Sequence, residues 1–306
     1  MTQKNRTGAA LFCAALGNAI FGFSFMFSRI ALRYAEPFVM LMYRFVLTAA
    51  LLTVIALWSS RQNGKRDLRW MRFDLKGKSI APMLAMGLIQ PVGYFLCESY
   101  GISMTNSTFS GVMIALVPIV AIVCGAVALR EFPKWTQIAF SLLSIAGVIL
   151  MTVQQRSEGQ IKPLGVILLL GAVLTGSYFN VLSRKISRFF TALERTVVMM
   201  YVAAAAFSVL ALLQSRNDLS VLIEPVRHPE FLSAIAYLSI CSSIIAFLAL
   251  NYANNYLPVA RSCSFANLTT VFSLFAGVVF LREPFSGISL LASVMIIVGI
   301  WGSQKI

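Results

Sequence analysis

A chain of 306 residues that is 58% hydrophobic and 12% charged does not have the composition of a soluble domain, which is nearer half apolar and a quarter charged. The apolar residues fall into long runs, which excludes a separate soluble domain, and the absence of ten-residue alternating strands excludes a transmembrane barrel. The formal net charge of +14 would suit nucleic acid, but the basic residues sit in short connecting loops, so nucleic acid is not expected as a partner.

A membrane-spanning helix needs about 20 mostly apolar residues. Ten such runs follow one another, near 8–32, 38–58, 80–102, 107–129, 134–153, 164–182, 196–214, 231–250, 260–281 and 285–303. The first lies behind Lys4 and Arg6, as a signal peptide would. It is too long for a signal core, and further spans follow. It carries Asn18, four residues before the side-chain-free Gly22, and the aromatic run Phe21, Phe23, Phe25 and Phe27. Phe21 and Phe25 share a helical face with Asn18, so substrate contact stands beside packing and lipid contact for them. The second run contains Arg44, whose stem is long enough to snorkel to the outer surface. Anchoring to Glu36 or Glu98 is the expected role.

The third run has no charge from Ile80 to Cys97 and then meets Glu98. Gln90, Tyr94 and Glu98 are spaced i, i+4, i+8, a single face of a regular helix. A lone polar stripe in a spanning helix is expected to face the bundle interior or a water-filled cavity. Glu98 is therefore a candidate proton-coupling residue; the structural reading places it at the interface, paired with Arg or water. Pro91 and Pro118 are expected to bend the third and fourth spans. The fourth ends in Leu129-Arg130-Glu131. Tyr178 and Asn180 in the sixth span, and Asn267 with Thr270 in the ninth, are further cavity candidates or interhelical hydrogen-bond partners. Asn251, Asn254 and Asn255 beside Pro258 read as turn and capping residues. The ninth span ends in Leu281-Arg282-Glu283. Glu131 and Glu283 thus hold equivalent junctions, where an acid satisfies free N–H groups and the positive end of a helix dipole. Both are read as structural charges.

The loops set an orientation. The densest basic cluster is Arg61, Lys65, Arg66, Arg69, Arg72, Lys76 and Lys78, and the next is Arg184, Lys185, Arg188 and Arg195. With the N-terminus inside, 17 Lys and Arg lie on the cytoplasmic side and 7 outside, Arg44 being counted apart. That bias follows the positive-inside rule and puts both termini in the cytoplasm. The five cysteines, Cys13, Cys97, Cys124, Cys241 and Cys263, show no CxxC spacing and read as packing residues. The lone His228 lies in the loop Arg227-His228-Pro229-Glu230 and reads as solvated. No nucleophile–base pair, no HExxH and no phosphate-binding GxxxxGK[ST] occurs, so no enzymatic activity, metal or cofactor is expected.

The two halves match each other. At an offset of 152, Leu129-Arg130-Glu131 pairs with Leu281-Arg282-Glu283, Tyr100 with Tyr252, Ser110 with Ser262, Gly125 with Gly277 and Gly147 with Gly299. At slightly different offsets Ser28-Arg29 resembles Ser183-Arg184, and Met42-Tyr43 resembles Met200-Tyr201. The expected fold is all-α and integral to the membrane: ten helices as two five-span repeats, 1–155 and 160–306. Five is odd, so the second copy enters the membrane inverted, an arrangement used by secondary transporters with a site near mid-membrane.

These features resemble the EamA-type transporters of the drug/metabolite transporter superfamily. The likeness rests on the small-residue spans ending in LRE, on the stretch Phe95–Leu150 and its repeat Asn251–Ile300, and on Tyr43-Arg44-Phe45. It implies a multi-pass carrier of the inner membrane, with a cavity lined largely by the first, third, fourth, sixth, eighth and ninth spans and with the fifth and tenth peripheral. The resemblance implies transport and leaves the substrate open; few buried charges, several amides and tyrosines and no ATP-binding sequence point to secondary-active export of a small polar metabolite such as an amino acid, by alternating access, with Glu98 as the coupling residue if protons are coupled. The alternatives are efflux of lipophilic cations and, outside transport, a membrane sensor or scaffold. The expected partners are a small-molecule substrate and the lipid bilayer; a homodimer through the peripheral spans stays open.

Overall fold

In hydrocarbon each backbone N–H and C=O must find a partner within the protein, and a helix meets this demand segment by segment. The computed structural model describes residues 3–61, 72–104, 113–114, 116–154, 162–281 and 286–304, and all regular structure among them is helical. In chain order the main helices are α1 (Gln3–Ala31), α2 (Pro37–Arg61), α3 (Ala81–Gly87), α4 (Tyr94–Ser103), α5 (Val117–Leu129), α6 (Trp135–Gln154) and α7 (Pro163–Ile186). They continue as α8 (Ala192–Gln214), α9 (Pro229–Tyr237), α10 (Phe247–Tyr256), α11 (Val259–Ser264), α12 (Leu268–Leu281) and α13 (Gly287–Gln304). Glu283, Arg282, Ser110, Lys65, Arg66 and Arg69 lie outside the described residues.

Among the described residues, seven helical stretches are long and apolar enough to cross a membrane, where the sequence pattern leads one to expect ten. The described parts of the fourth and fifth runs are shorter, and the third run is broken. Its break has a local cause. Pro91 has no N–H to give and forces the preceding residue towards extended backbone. Gln90 accordingly leaves the helix at φ −145°, ψ 126°, and a wide-turn segment, Leu88–Gly93, joins α3 to α4. The Gln90–Tyr94–Glu98 stripe therefore does not exist as one helical face; only Tyr94 and Glu98 share one. Pro118 behaves differently. It lies in the first turn of α5, where the missing N–H costs nothing, so it starts that helix instead of bending it.

A second wide-turn segment, Leu238–Ala246, joins α9 to α10. At the offset of 152, Leu88–Gly93 falls inside it. Other contacts repeat in the same way. A Cβ on Gly147 would meet the Ala292 carbonyl at 2.8 Å and Ile296 at 2.9 Å; one on Gly299 would meet the Phe140 carbonyl at 2.6 Å and Ser144 at 2.7 Å. Residues 292 and 296 are the offset partners of 140 and 144, so α6 and α13 cross by a reciprocal contact. Gly22 lies against the Thr269 carbonyl, and its counterpart Ser177 donates to the Val117 carbonyl at 3.0 Å. Gly87 abuts Val202, and its counterpart Ser239 donates to the Arg44 carbonyl at 2.9 Å. Gly22 thus leaves no free space beside Asn18: Phe272 and Thr269 fill it.

The loops segregate into two groups. Asp74 N–H and the Lys78 ammonium both reach Glu194, at 3.0 and 2.7 Å, and the Gln304 amide donates to the Arg261 carbonyl. At the other end, Tyr34 donates to Glu230 at 2.6 Å and stacks on His228, so that histidine is not simply solvated. Lys162 N–H there donates to the Met104 carbonyl. Asp74 is held below the usual carboxylate range by the Lys76 backbone N–H and by Arg72.

The α6–α13 crossing yields a prediction. Gly299→Ala places a methyl against backbone, which no side-chain rotation relieves, and overpacking of this kind costs about 1–3 kcal/mol. Thermal unfolding in detergent is expected to show that loss for Gly299→Ala and for Gly147→Ala. Gly8→Ala, whose Cβ would meet nothing within 4 Å, is expected to be neutral or stabilising.

Candidate functional site

A polar group in an apolar helix is costly unless partnered, so the partners of each buried polar side chain describe what it can do. On α4, Tyr94 donates its hydroxyl to Glu98 at 2.9 Å. The i, i+4 spacing within one regular helix brings the pair together. α7 makes room for it: a Cβ on Gly176 would touch the Tyr94 ring, and one on Gly171 the Cys97 sulfur. Glu98 is half-buried.

Arg44 reaches α4 from α2, against Phe95. It does not snorkel outward, being 3% exposed. Its Nε donates to Ser243 at 2.8 Å and its Nη2 to Ser242 at 2.9 Å, both in the wide turn before α10. The guanidinium also covers the Phe45 and Phe95 rings, at 5.2 and 5.3 Å from their centroids. Arg44 and Glu98 act on each other electrostatically but form no ion pair among the described residues. The expected anchor partners Glu36 and Glu98 are thus replaced by two serines.

The other candidates lie elsewhere. Asn18 donates to the Ala14 carbonyl at 2.8 Å within α1, and Thr269 of α12 donates to its carbonyl at 3.1 Å. Asn267, in the turn between α11 and α12, donates to Ser144 of α6 at 3.0 Å. Its i, i+3 neighbour Thr270 is half-buried on α12. Phe21 packs edge-on against Phe247, which meets Phe179 in the same manner. Phe25 is exposed. Tyr178 continues the exposed stripe Leu164, Ile167, Leu170, Leu174 along α7, a lipid-facing position, and so stands apart from the Tyr94–Glu98 pair.

Asn180 belongs to a third group, a buried network at the ends of α7, α8, α10 and α11. Arg195 is its centre and is fully buried. It donates to the Ser183 and Asn251 carbonyls, each at 2.7 Å, and to the Asn255 side chain. Ser183 donates to Asn251, which donates to Thr196; Ser262 donates to Asn254. Asn254 reaches Asn180 at 3.5 Å. Arg184 bridges from Glu131 to the Asn255 carbonyl, at 3.1 and 2.7 Å. Glu131 also accepts the Val259 N–H at 3.0 Å, so it caps α11 in the other half of the chain and not the helix that follows it.

Arg195 is not part of a solvated basic loop, and the sequence carried a signal for this. Thr191-Ala192-Leu193-Glu194 is a capping box, with both reciprocal hydrogen bonds formed. It starts α8 at Ala192 and brings Arg195 inside. Ser242 and Ser243 had no such signal, because serines in apolar helices look alike whether they pack or bond.

The likeness to known proteins extends along the chain. The EamA-like transporter family matches residues 8–153 and again 163–303. "Uncharacterized transporter YcxC" of Bacillus subtilis (strain 168) is 30% identical over 304 residues, 98% of this chain and 94% of its own. An uncharacterized transporter of Archaeoglobus fulgidus is 21% identical over 290 residues, 94% of this chain and 95% of its own. A solved crystal structure of 19% identity superposes with a TM-score of 0.76 over 97% of this chain and 96% of that one, a likeness of fold.

The network predicts a large asymmetry among arginines. Arg195→Ala leaves several buried acceptors unpaired, at about 1–3 kcal/mol each, and denaturant unfolding is expected to show several kcal/mol of lost stability. Arg188→Ala, at an exposed position, is expected to stay within about 0.5 kcal/mol of the parent.

Proposed function

The chain belongs to the EamA-like transporter family, within the drug/metabolite transporter superfamily, and from that premise we propose that this multi-pass membrane transporter is a secondary carrier exporting a small polar metabolite such as an amino acid. It works by alternating access between two inverted five-span halves, 1–155 and 160–306, in the inner membrane with both termini cytoplasmic. The support is the set of reciprocal contacts at offsets near 152, the family match that occurs twice, and loop contacts that fall into two groups. An inverted repeat of this kind is an arrangement used by secondary transporters.

Glu98 is the proposed coupling residue. The single observation that carries this is the Tyr94–Glu98 hydrogen bond in an apolar helix, with Arg44 opposite. A half-buried carboxylate bonded to a neutral phenol and facing a cation can exist in either protonation state, and substrate can then compete with the proton. Asn18, Phe21, Gln90, Asn180, Asn267 and Thr270 are the further residues proposed to line the substrate path. Arg44 places a positive charge beside the carboxylate, which disfavours lipophilic cations as substrates. No step requires a cofactor or metal, and no enzymatic role is proposed.

The test is proton movement in liposomes loaded with a pH-sensitive dye, to which pooled amino acids and metabolites are added under an imposed gradient. Substrate-dependent proton flux is expected in the parent protein, reduced about tenfold or more in Glu98→Gln, the size of a general acid–base handle worth roughly 1.4 kcal/mol or more. Flux that Glu98→Gln leaves unchanged contradicts the assignment.

A further inference from the structure

The two wide-turn segments occupy equivalent places but are held differently. A helix with i→i+5 turns has freed some of its regular backbone hydrogen bonds, and such bulges are frequent where a helix must change shape. In the first half, the segment Leu88–Gly93 follows Gly87, which packs against Val202 and Met199 of α8 through apolar contact alone. In the second half, the segment Leu238–Ala246 is held by side-chain hydrogen bonds from α2. Arg44 donates to Ser242 and Ser243, Ser239 donates back to the Arg44 carbonyl at 2.9 Å, and Thr48 lies against the Ser239 carbonyl at 3.4 Å. The position equivalent to Arg44 in the second half is Val202, on the register that pairs Met42 with Met200. Among the described residues, the second of these segments is the one tied to a charged side chain.

That residue also reaches the helix of Glu98: its guanidinium covers the ring of Phe95, three residues before Glu98 on α4, at 5.3 Å. The groups around the carboxylate are few. Tyr94, Cys97 and Tyr100 share its helix, and Tyr94 bonds it directly. α7, packed along α4, turns Gly171, Thr175 and Gly176 towards it, while Tyr178 faces away and Arg184 and Lys185 lie at the far end of that helix. α2 supplies Arg44; its Tyr43 is occupied by the Leu222 carbonyl. Arg44 is the charge that α2 brings against α4, over the Phe95 ring, and its two hydrogen-bonding nitrogens end on the wide turn of the other half.

We propose that Arg44 is a positioning residue that transmits the charge state of Glu98 to the wide-turn segment at Ser242 and Ser243. With Glu98 ionised, the guanidinium is drawn towards the carboxylate and its hold on the two serines changes; with Glu98 neutral, the serines keep it. The wide turns between α9 and α10 then tighten or loosen according to what occupies the site on α4, which links a binding event in one half to a backbone change in the other. This rests on the reading of Glu98 as the coupling residue, and it assigns to Arg44 a part in the cycle that neither binding of substrate nor simple anchoring includes.

A native reporter sits inside the wide-turn segment. Cys241 precedes Ser242 and is partly accessible. With the other four cysteines replaced by alanine, its rate of reaction with N-methylmaleimide follows the opening of this segment. The thiol's own ionisation contributes equally in every variant, so rates are expressed relative to Glu98→Gln at each pH. The parent is expected to show a pH-dependent step of about fivefold or more, the size of an ordinary coupling between sites. The step is expected to vanish in Arg44→Lys, which keeps the charge but lacks the fork that spans two hydroxyls. It is expected to vanish equally in Ser242→Ala/Ser243→Ala, which alters neither charge and keeps the proposal testable if Arg44→Lys does not fold. A merely structural Arg44 would lower the yield of folded protein and leave the step in place. A step that persists in the serine variant, or a parent with none, overturns the proposal. Proton flux measured on the same preparations separates the two readings: flux lost in Glu98→Gln while the Cys241 step is absent leaves the coupling role of Glu98 standing and removes only the transmission through Arg44.

Discussion

The crossing of α6 and α13 is the contact on which the rest of the architecture depends. Two glycines, Gly147 and Gly299, bring backbone against backbone, and each meets the offset counterparts of the residues that the other meets. Small residues are how helices associate in lipid, where no hydrophobic force pushes them together. A reciprocal crossing also fixes one half of the chain relative to the other by a two-fold relation, which then recurs at Gly22 and Ser177 and at Gly87 and Ser239.

Those polar groups divide by depth and by task. The network around Arg195 is sealed: its guanidinium is fully buried and bonded to carbonyls and an amide from two other helices, α7 and α10. Such a network specifies one closed arrangement of the ends of α7, α8, α10 and α11. The Tyr94–Glu98 pair is different. It is half-buried, has a single internal hydrogen bond and lies next to a helix break. Closed polar groups hold a state, and open ones exchange partners.

Much of this was legible in the sequence because the membrane imposes a strong pattern. Runs of apolar residues overlie the long described helices, and the LRE repeat sets the offset that Gly147 and Gly299 obey. The misreadings have physical causes. The Gln90 stripe assumed a helix that Pro91 breaks. Arg195 looked like a loop charge because its distance from the apolar run was read before the capping box at Thr191 and Glu194. Arg44 looked like a snorkelling anchor because composition does not reveal the serines, 198 and 199 residues away, that receive it. Glu131 was rightly read as a helix-capping charge in type, but the helix it caps lies in the other half, and no spacing rule reaches so far.

Alternation between two inverted halves is the central claim, and paired distances measure it most directly. Spin labels at the exposed positions 134 and 188 report one end of the molecule, and labels at 33 and 227 the other. Each pair joins the two halves. Electron–electron double resonance in lipid, across a pH range, is predicted to give two populations at each end whose weights move in opposite directions: the long distance gains at one end as it fades at the other. A single population at both ends, or distances that lengthen together, would contradict alternating access.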